Sequence, residues 1–283
     1  MPQQLTQPGT APLVSVCLPV YNGEPFLRAA MDSVLAQTHK DFELVVFDNA
    51  STDGTWQLLQ SFRDHRIRLH RNDSNLGPEA NWNRALGAAR GKYVKIFNHD
   101  DLLEPECLAR QAAALESAPE AALAFCGRAI ILADGRPFLA RTAPWPEGPV
   151  APGIIVRDCV RAGTNLVGEP SAVMFRRECA IKAGSFDGSI PYLIDLDYWV
   201  RLLEHGSGYC MKNQLASFRL SPHQWTAVIG RKQSRQYLDF MDRLLAGGRF
   251  RIGAVTCLRG RLRARLNGLL RALVYRFVVR GSS

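Results

Sequence analysis

Apolar and polar positions along this chain follow two periods. Short, mostly apolar runs at 14–20, 42–47, 67–70 and 93–97 read as buried strands. Between them the apolar residues recur every three or four positions, as at Leu27, Met31, Val34 and Leu35, which predicts amphipathic helices. Asn75-Leu76-Gly77 is a turn signal. The stretch 78–90 reads as a helix, with proline in its first turn and Gly91 just beyond its end. Pro105 opens a further helix carrying Leu108, Ala112 and Leu115, and 122–132 is another strand, closed by the Asp134-Gly135 turn. The order β-α-β-α-β-α-β-α-β predicts an α/β fold with a doubly wound sheet flanked by helices. The Pro- and Gly-rich stretch 143–152 breaks the pattern and is expected to form a loop over the active face. Strands at 171–175 and about 214–220 and a helical segment at 194–202 follow.

Three of these strands end in chemistry-bearing residues. The first runs into Tyr21-Asn22-Gly23, the second into Asp48-Asn49, and the fourth into Asn98-His99-Asp100-Asp101. In open α/β sheets ligands bind at that C-terminal edge. Adjacent carboxylates repel unless a cation or hydrogen bonds offset the repulsion, and hard divalent cations take carboxylate oxygens. A solvated turn with one Asp capping the next helix is the other reading of that pair. Neither a G-x-x-x-x-G-K-[ST] loop nor a G-x-G-x-x-G turn is present, so the usual backbone cradles for phosphate are missing. A diphosphate ligand would then need a metal held on carboxylates. That favours a nucleotide-diphosphate donor over a dinucleotide redox cofactor. Further on, Asp195 and Asp197 lie two apart in a helical segment and point to different faces. Asp197 has Arg201 four residues on, a routine helix pair. Asp195 either caps the helix or projects into the cleft as a general base.

Composition narrows the class. With 283 residues and 47% hydrophobic content the chain can bury a sizeable core. Seven scattered cysteines without a C-x-x-C pair read as reduced, mainly buried thiols of a cytosolic protein. The polar, Pro-rich residues 1–12 read as a flexible arm lacking the features of a signal peptide, and no run reaches the length of a spanning helix. The net charge of +9 is localised: nine Arg and no Asp or Glu fall between Arg249 and the end, which leaves the rest formally neutral.

At the level of ordered motifs, residues 13–226 resemble the family 2 inverting glycosyltransferases of the GT-A fold. The resemblance rests on 14–23, Ser33 to Thr38, the loop 48–55, Asn75-Leu76-Gly77, Asn81-Trp82-Asn83, Asn98 to Asp101, 170–177, Gly184 to Asp187 and the Asp195 helix. It implies that Pro19, Val20, Tyr21, Asn22 and Asn83 line the nucleotide pocket and that Asp48 hydrogen-bonds the base. It further implies that Asp100 contacts the ribose, Asp101 holds Mn2+ or Mg2+, and Asp195 is the catalytic base. The donor would be a UDP- or dTDP-sugar and the acceptor a glycan or lipid-linked hydroxyl. Trp199 and Trp225 would form acceptor walls, Trp199 being equally suited to the core. The chain departs from the family pattern at Asn49, where a second Asp is common, and at Ser221, where members carry a His. His223 follows two residues later and reads as a surface-loop histidine.

On this reading the chain divides into the arm, a catalytic domain at 13–245 (nucleotide half 13–135, acceptor half 136–245) and a basic amphipathic helical tail at 246–283. In the tail, Leu258, Leu262, Leu266, Leu269, Leu270, Leu273, Val274, Phe277 and Val278 form one stripe among arginines. Such a helix suits the anionic, cytosolic face of a membrane. The alternative is a helix docked on the catalytic body with a solvated Arg face. Nucleic acid is not an expected partner, because the body is neutral and shows no interleaved aromatics. A catalytically silent nucleotide-sugar-binding module tethered by the tail is the competing function.

Overall fold

The computed structural model describes residues 11–221 and 232–274. His223, Trp225, Phe277, Val278 and most of the N-terminal arm therefore lie outside the described residues. The first half alternates as the periodicity predicts, except that one short unpredicted strand follows the fourth: β1 (Val14–Val20), α1 (Glu24–Leu35), β2 (Phe42–Asp48), α2 (Thr55–Ser61), β3 (Ile67–Arg71), α3 (Gly77–Gly87), β4 (Tyr93–Ile96), the unpredicted β5 (Leu102–Leu103), α4 (Cys107–Ser117) and β6 (Ala121–Leu132). Then come β7 (Pro137–Arg141), β8 (Gly148–Val150), α5 (Pro152–Ala162), β9 (Val173–Arg176), α6 (Arg177–Ala183), α7 (Ile194–Leu202), β10 (Ser207–Leu220), α8 (Gln233–Ala246) and α9 (Ala254–Val274).

All ten strands of the described residues join one mixed sheet, in the order β3-β2-β1-β4-β9-β6-β10-β5, with β7 added to β6 and β8 to β10. β1 to β4 run parallel, β9 is antiparallel to both its neighbours, and β10 is parallel to β6. β1 is buried at every position, because helices cover both faces of the sheet. Leu27, Met31 and Val34 of α1 and Leu108, Ala112 and Leu115 of α4 enter one apolar layer. Phe175, Tyr198, Trp199 and Tyr237 anchor the other. Trp199 is thus a core residue, its indole N–H satisfied by the Gly168 carbonyl at 3.0 Å. The cysteines are all free thiols, six of them buried.

Three expectations change. The stretch 143–152 is not a loop over the active face: its β8 strand pairs with Gly208–Cys210 at the start of β10, at the end of that strand remote from the ligand edge. Trp145 is buried there against Phe125 and donates to Asp158 at 2.9 Å, an apolar anchor masked by its Pro/Gly-rich surroundings. The last strand begins at Ser207, earlier than expected, because β-bulges between Cys210 and Ala216 interrupt its alternation. The strand expected at 171–175 is β9 and starts later, since Pro170–Ala172 form a 3-10 turn and extended structure begins at Val173.

The tail also packs on the body. α9 lies against α5 and α8, with Ala264 fully buried. Asn267 Nδ2 donates to the carbonyls of Ala162 (2.9 Å) and Gly163 (3.0 Å). A side chain at Gly260 would collide with the Val160 carbonyl, so a residue without Cβ is what permits this approach.

Candidate active site

The C-terminal ends of β2, β1 and β4 lie side by side, so the three polar strand ends found in the sequence form one edge. Among the described residues, the two non-glycine residues with positive φ, Asn22 (49°) and Ala50 (59°), sit in the loops after β1 and β2. Backbone held in this region is characteristic of functional loops. Asn22 clamps the two loops together: its N–H donates to Ser51 Oγ at 2.9 Å, and its Oδ1 accepts from the Thr52 N–H at 2.9 Å. Pro19 and Val20 are buried beneath this junction, whereas Tyr21 and Asn22 are exposed on it. Gly23 lets the His99 ring approach, since a Cβ there would meet it at 2.7 Å.

Asp48 is fully enclosed. Its Oδ1 accepts from the Ser51 N–H (3.2 Å) and its Oδ2 lies 3.1 Å from Arg71 Nε. Arg71 is exposed, donates to the Ser51 carbonyl and lies over Trp56 with its guanidinium 5.1 Å from the ring centre. A ligand at this corner therefore meets Arg71 first, with Asp48 holding the guanidinium from behind. Asn83 faces the other way. Its amide donates to the Phe186 carbonyl (3.0 Å) and accepts from the Phe186 N–H (2.8 Å), which makes it a brace between α3 and the loop after α6.

Asn49 explains its own departure from the family pattern. Buried below the loops, it accepts from Asn72 Nδ2 (2.8 Å) and the Leu76 N–H (3.0 Å) and donates to Asn75 Oδ1 (2.9 Å) and the Gly77 carbonyl (3.2 Å). Asn72 continues the network to Asn81, whose amide donates to the Phe47 carbonyl at 3.0 Å. An aspartate has no donors for Asn75 and Gly77. Asn49→Asp is expected to lower stability by about 1–3 kcal/mol for the donors it loses, measurable by urea unfolding.

The two adjacent carboxylates have different surroundings. Asp101 is fully buried: its Oδ2 accepts from Ser171 Oγ (2.6 Å) and Asn98 Nδ2 (3.2 Å), and its Oδ1 from the Arg219 N–H (3.1 Å). Burial, reinforced by the Asp100 charge, pushes its carboxyl well above the usual range. Asp100 is partly exposed at the sheet edge, and its carbonyl accepts from Arg219 Nε at 2.8 Å. Arg219 also donates to the Leu132 and Ala133 carbonyls, so one side chain pins the turn between β4 and the end of β6. The sequence placed Arg219 only at a strand end; nothing local marked it as the organiser of this turn.

Across the edge stands Asp195, in the first turn of α7. Its Oδ2 accepts from Asn165 Nδ2 at 3.0 Å, and its Oδ1 from the Leu196 N–H at 2.7 Å. Its carboxyl is raised to about 7, chiefly by burial and further by the nearby Glu169 charge. Asp197 makes the expected pair with Arg201, at 2.9 Å. One short segment joins both carboxylate sites. Asn165 holds Asp195, and Ser171, six residues later, holds Asp101. Between them Glu169 pairs with the buried Arg128 and acts electrostatically on both aspartates. Sequence reasoning missed Asn165, Arg128 and Glu169. The Gly168-Glu169-Pro170 run, with Gly168 at φ 122°, was the available signal.

Residues 15–182 match the profile of Glycosyl transferase family 2. The chain belongs to this family. This family 2 glycosyltransferase is 34% identical over 200 residues to an uncharacterized protein, MT1568, of Mycobacterium tuberculosis, covering 68% of this chain and 62% of the relative. It is 32% identical over 228 residues to the putative teichuronic acid biosynthesis glycosyltransferase TuaG of Bacillus subtilis, covering 77% of this chain and 84% of that one. In structure it is similar to S. aureus TarS 1–349 in complex with UDP-GlcNAc, with a TM-score of 0.65 at 19% identity over 95% of this chain and 74% of that one. It is also similar to a mannosyltransferase from Pyrobaculum calidifontis in complex with GDP-Man and Mn2+, with a TM-score of 0.60 at 17% identity over 94% of this chain and 76% of that one. These likenesses give the glycosyltransferase the GT-A type fold that the resemblance of its motifs implied.

Proposed function

We propose that this glycosyltransferase moves a sugar from a nucleotide-diphosphate donor to a hydroxyl of a glycan or lipid-linked acceptor, with inversion at the anomeric carbon. The observation that carries this reading is the pairing of Asp100, partly exposed at the sheet edge, with Asp195, whose carboxyl is raised to about 7 and which the 165–171 segment ties to the same edge. The nucleotide would lie over the loops after β1 and β2, against Tyr21 and Asn22, with Arg71 meeting the base. Asp195 would take the proton of the acceptor hydroxyl as that oxygen attacks the anomeric carbon. Its Asn165 hydrogen bond fixes the orientation of the carboxylate during the transfer.

The donor set fits a divalent cation only in part. Asp100 is the carboxylate that would hold Mn2+ or Mg2+ together with donor phosphate oxygens. Asp101, expected from the sequence to be the metal ligand, has both oxygens taken by protein donors and no exposed surface. Its role in this reading is to hold the turn that presents Asp100. A bound cation would stabilise the charge of the departing nucleoside diphosphate.

The test is thermal stabilisation of the full chain by a panel of nucleotide sugars, led by UDP- and dTDP-sugars, with and without Mn2+. A ligand at a hundred times its Kd adds about 2.7 kcal/mol, a readily measured shift. The reading predicts a metal-dependent shift with one donor class and slow metal-dependent hydrolysis of that donor. Absence of any shift across the panel would overturn it.

A further inference from the structure

α9 is packed with the opposite face to the one its sequence suggests. A helix on a soluble domain turns its apolar stripe inward. Here the inward face is Gly260, Ala264, Asn267, Gly268 and Arg271, at spacings of three and four. Arg271 donates to Gln233 (2.8 Å) and lies over the Tyr192 ring. The leucine stripe points outward: Leu258, Leu262, Leu266, Leu269, Leu270 and Leu273 are 51–66% exposed. At 100° per residue, Arg261 and Arg265 border this ridge on one side and Arg259 and Arg263 on the other. Arg161 of α5, Arg259, Leu262 and Arg263 line an open groove beside the ridge. Among the described residues no acidic group pairs with Arg259 or Arg263, and the chain from Arg249 onward carries no Asp or Glu.

We infer that the outer face of α9 is a docking surface for an anionic phospholipid bilayer, with the leucine ridge seated at the headgroup–acyl boundary and the arginine rows on lipid phosphates. Charge complementarity selects this occupant. A contiguous exposed apolar ridge marks an interaction site. In a two-fold pairing of the ridge with a second copy, rows of arginine would face rows of arginine. A nucleic acid would use the arginines and leave the leucines in water. An anionic bilayer satisfies both. Among the described residues no helix is long and apolar enough to cross a membrane. Docking and membrane contact, alternatives at the level of the sequence, use opposite faces of one helix and coexist. The surface stands independently of the transfer reaction. The inner face of the same helix reaches the catalytic side, because Tyr192, under Arg271, lies in the 3-10 turn that opens into α7 and Asp195.

Co-sedimentation of the full chain with vesicles tests the surface. The protein is expected to bind vesicles containing about one third phosphatidylglycerol and to ignore pure phosphatidylcholine, with binding weakened but not abolished by high salt. Arg259→Gln with Arg263→Gln should weaken binding about thirtyfold, at the contribution of a basic residue near an anionic surface. Leu262→Ser, Leu266→Ser and Leu269→Ser together should remove the salt-resistant part. Both variants should keep the wild-type melting temperature and donor-induced stabilisation, because these side chains make no core contact. The inference is overturned if the wild type ignores anionic vesicles, or if the leucine variant binds them as well as the wild type does. It is also overturned if sedimentation shows a dimer, abolished by the leucine variant, with no vesicle binding.

Discussion

Asp195→Asn is expected to lower sugar transfer by at least about a hundredfold, the lower end for loss of a general base, while donor-induced stabilisation survives. Asparagine keeps the size and the hydrogen bond to Asn165 but accepts no proton. The pH dependence provides a second readout. With the wild-type carboxyl raised to about 7, the base is active above that pH, and transfer should fall as pH drops through about 7. Glu169→Gln removes a negative charge that helps raise Asp195, so the acid limb of its kcat/KM profile should move to lower pH. Stability should run in the opposite sense to activity. A carboxyl raised on folding binds its proton more tightly in the native state, so its favourable contribution is complete below the ordinary carboxylate range and is lost as pH rises towards about 7. Asp195→Asn lacks this loss and should melt higher than wild type at pH 8. If Asp197→Asn produced the catalytic defect instead, the base would lie on the other face of α7.

The second large effect separates the adjacent aspartates. Asp101→Ala strips the acceptor from Ser171, Asn98 and the Arg219 N–H, all contacting a fully buried carboxylate. Each buried donor left unsatisfied costs about 1–3 kcal/mol, so this variant should lose several kcal/mol, seen in urea unfolding without any ligand. Asp100→Ala should cost far less stability, because its side chain stands partly in solvent. It should nevertheless abolish the Mn2+-dependent part of donor binding and transfer. The two measurements together distinguish a metal-binding residue from one that holds the turn. A stable but inactive Asp101→Ala would return the metal to Asp101.

The split between these neighbours was not legible along the chain. Residues in a turn have no period, so their order does not say which side chain points inward. That is decided by Ser171, 70 residues away, and by Arg219, 118 away. The same holds for Asn83, whose loop partner Phe186 lies 103 residues on, and for Asn165, which reaches Asp195 across 30. Asn49 was visible as a departure from the family pattern, but its reason lay in the carboxamide network beneath the loops.

By itself the sequence determined the alternation of strands and helices through β6 apart from the two-residue β5, the polar ends of β1, β2 and β4, the Asp197–Arg201 pair and the basic amphipathic tail. Each follows from spacing within one element, where a period of two or of three to four reports burial directly. The tertiary structure alone decided which carboxylate is enclosed, where 143–152 lies and which face of α9 is docked. α9 shows why. Its leucines announce an apolar stripe, and the periodicity is read correctly, but close approach to α5 depends on the absent side chain at Gly260, and close approach to Ser234 of α8 on that at Gly268. The backbone carbonyls of Ala162 and Gly163 accept from Asn267, which turns the small-residue face inward and leaves the leucines outside. A hydrophobic period fixes which residues share a face; the shape and polar groups of the neighbouring element fix which face is buried.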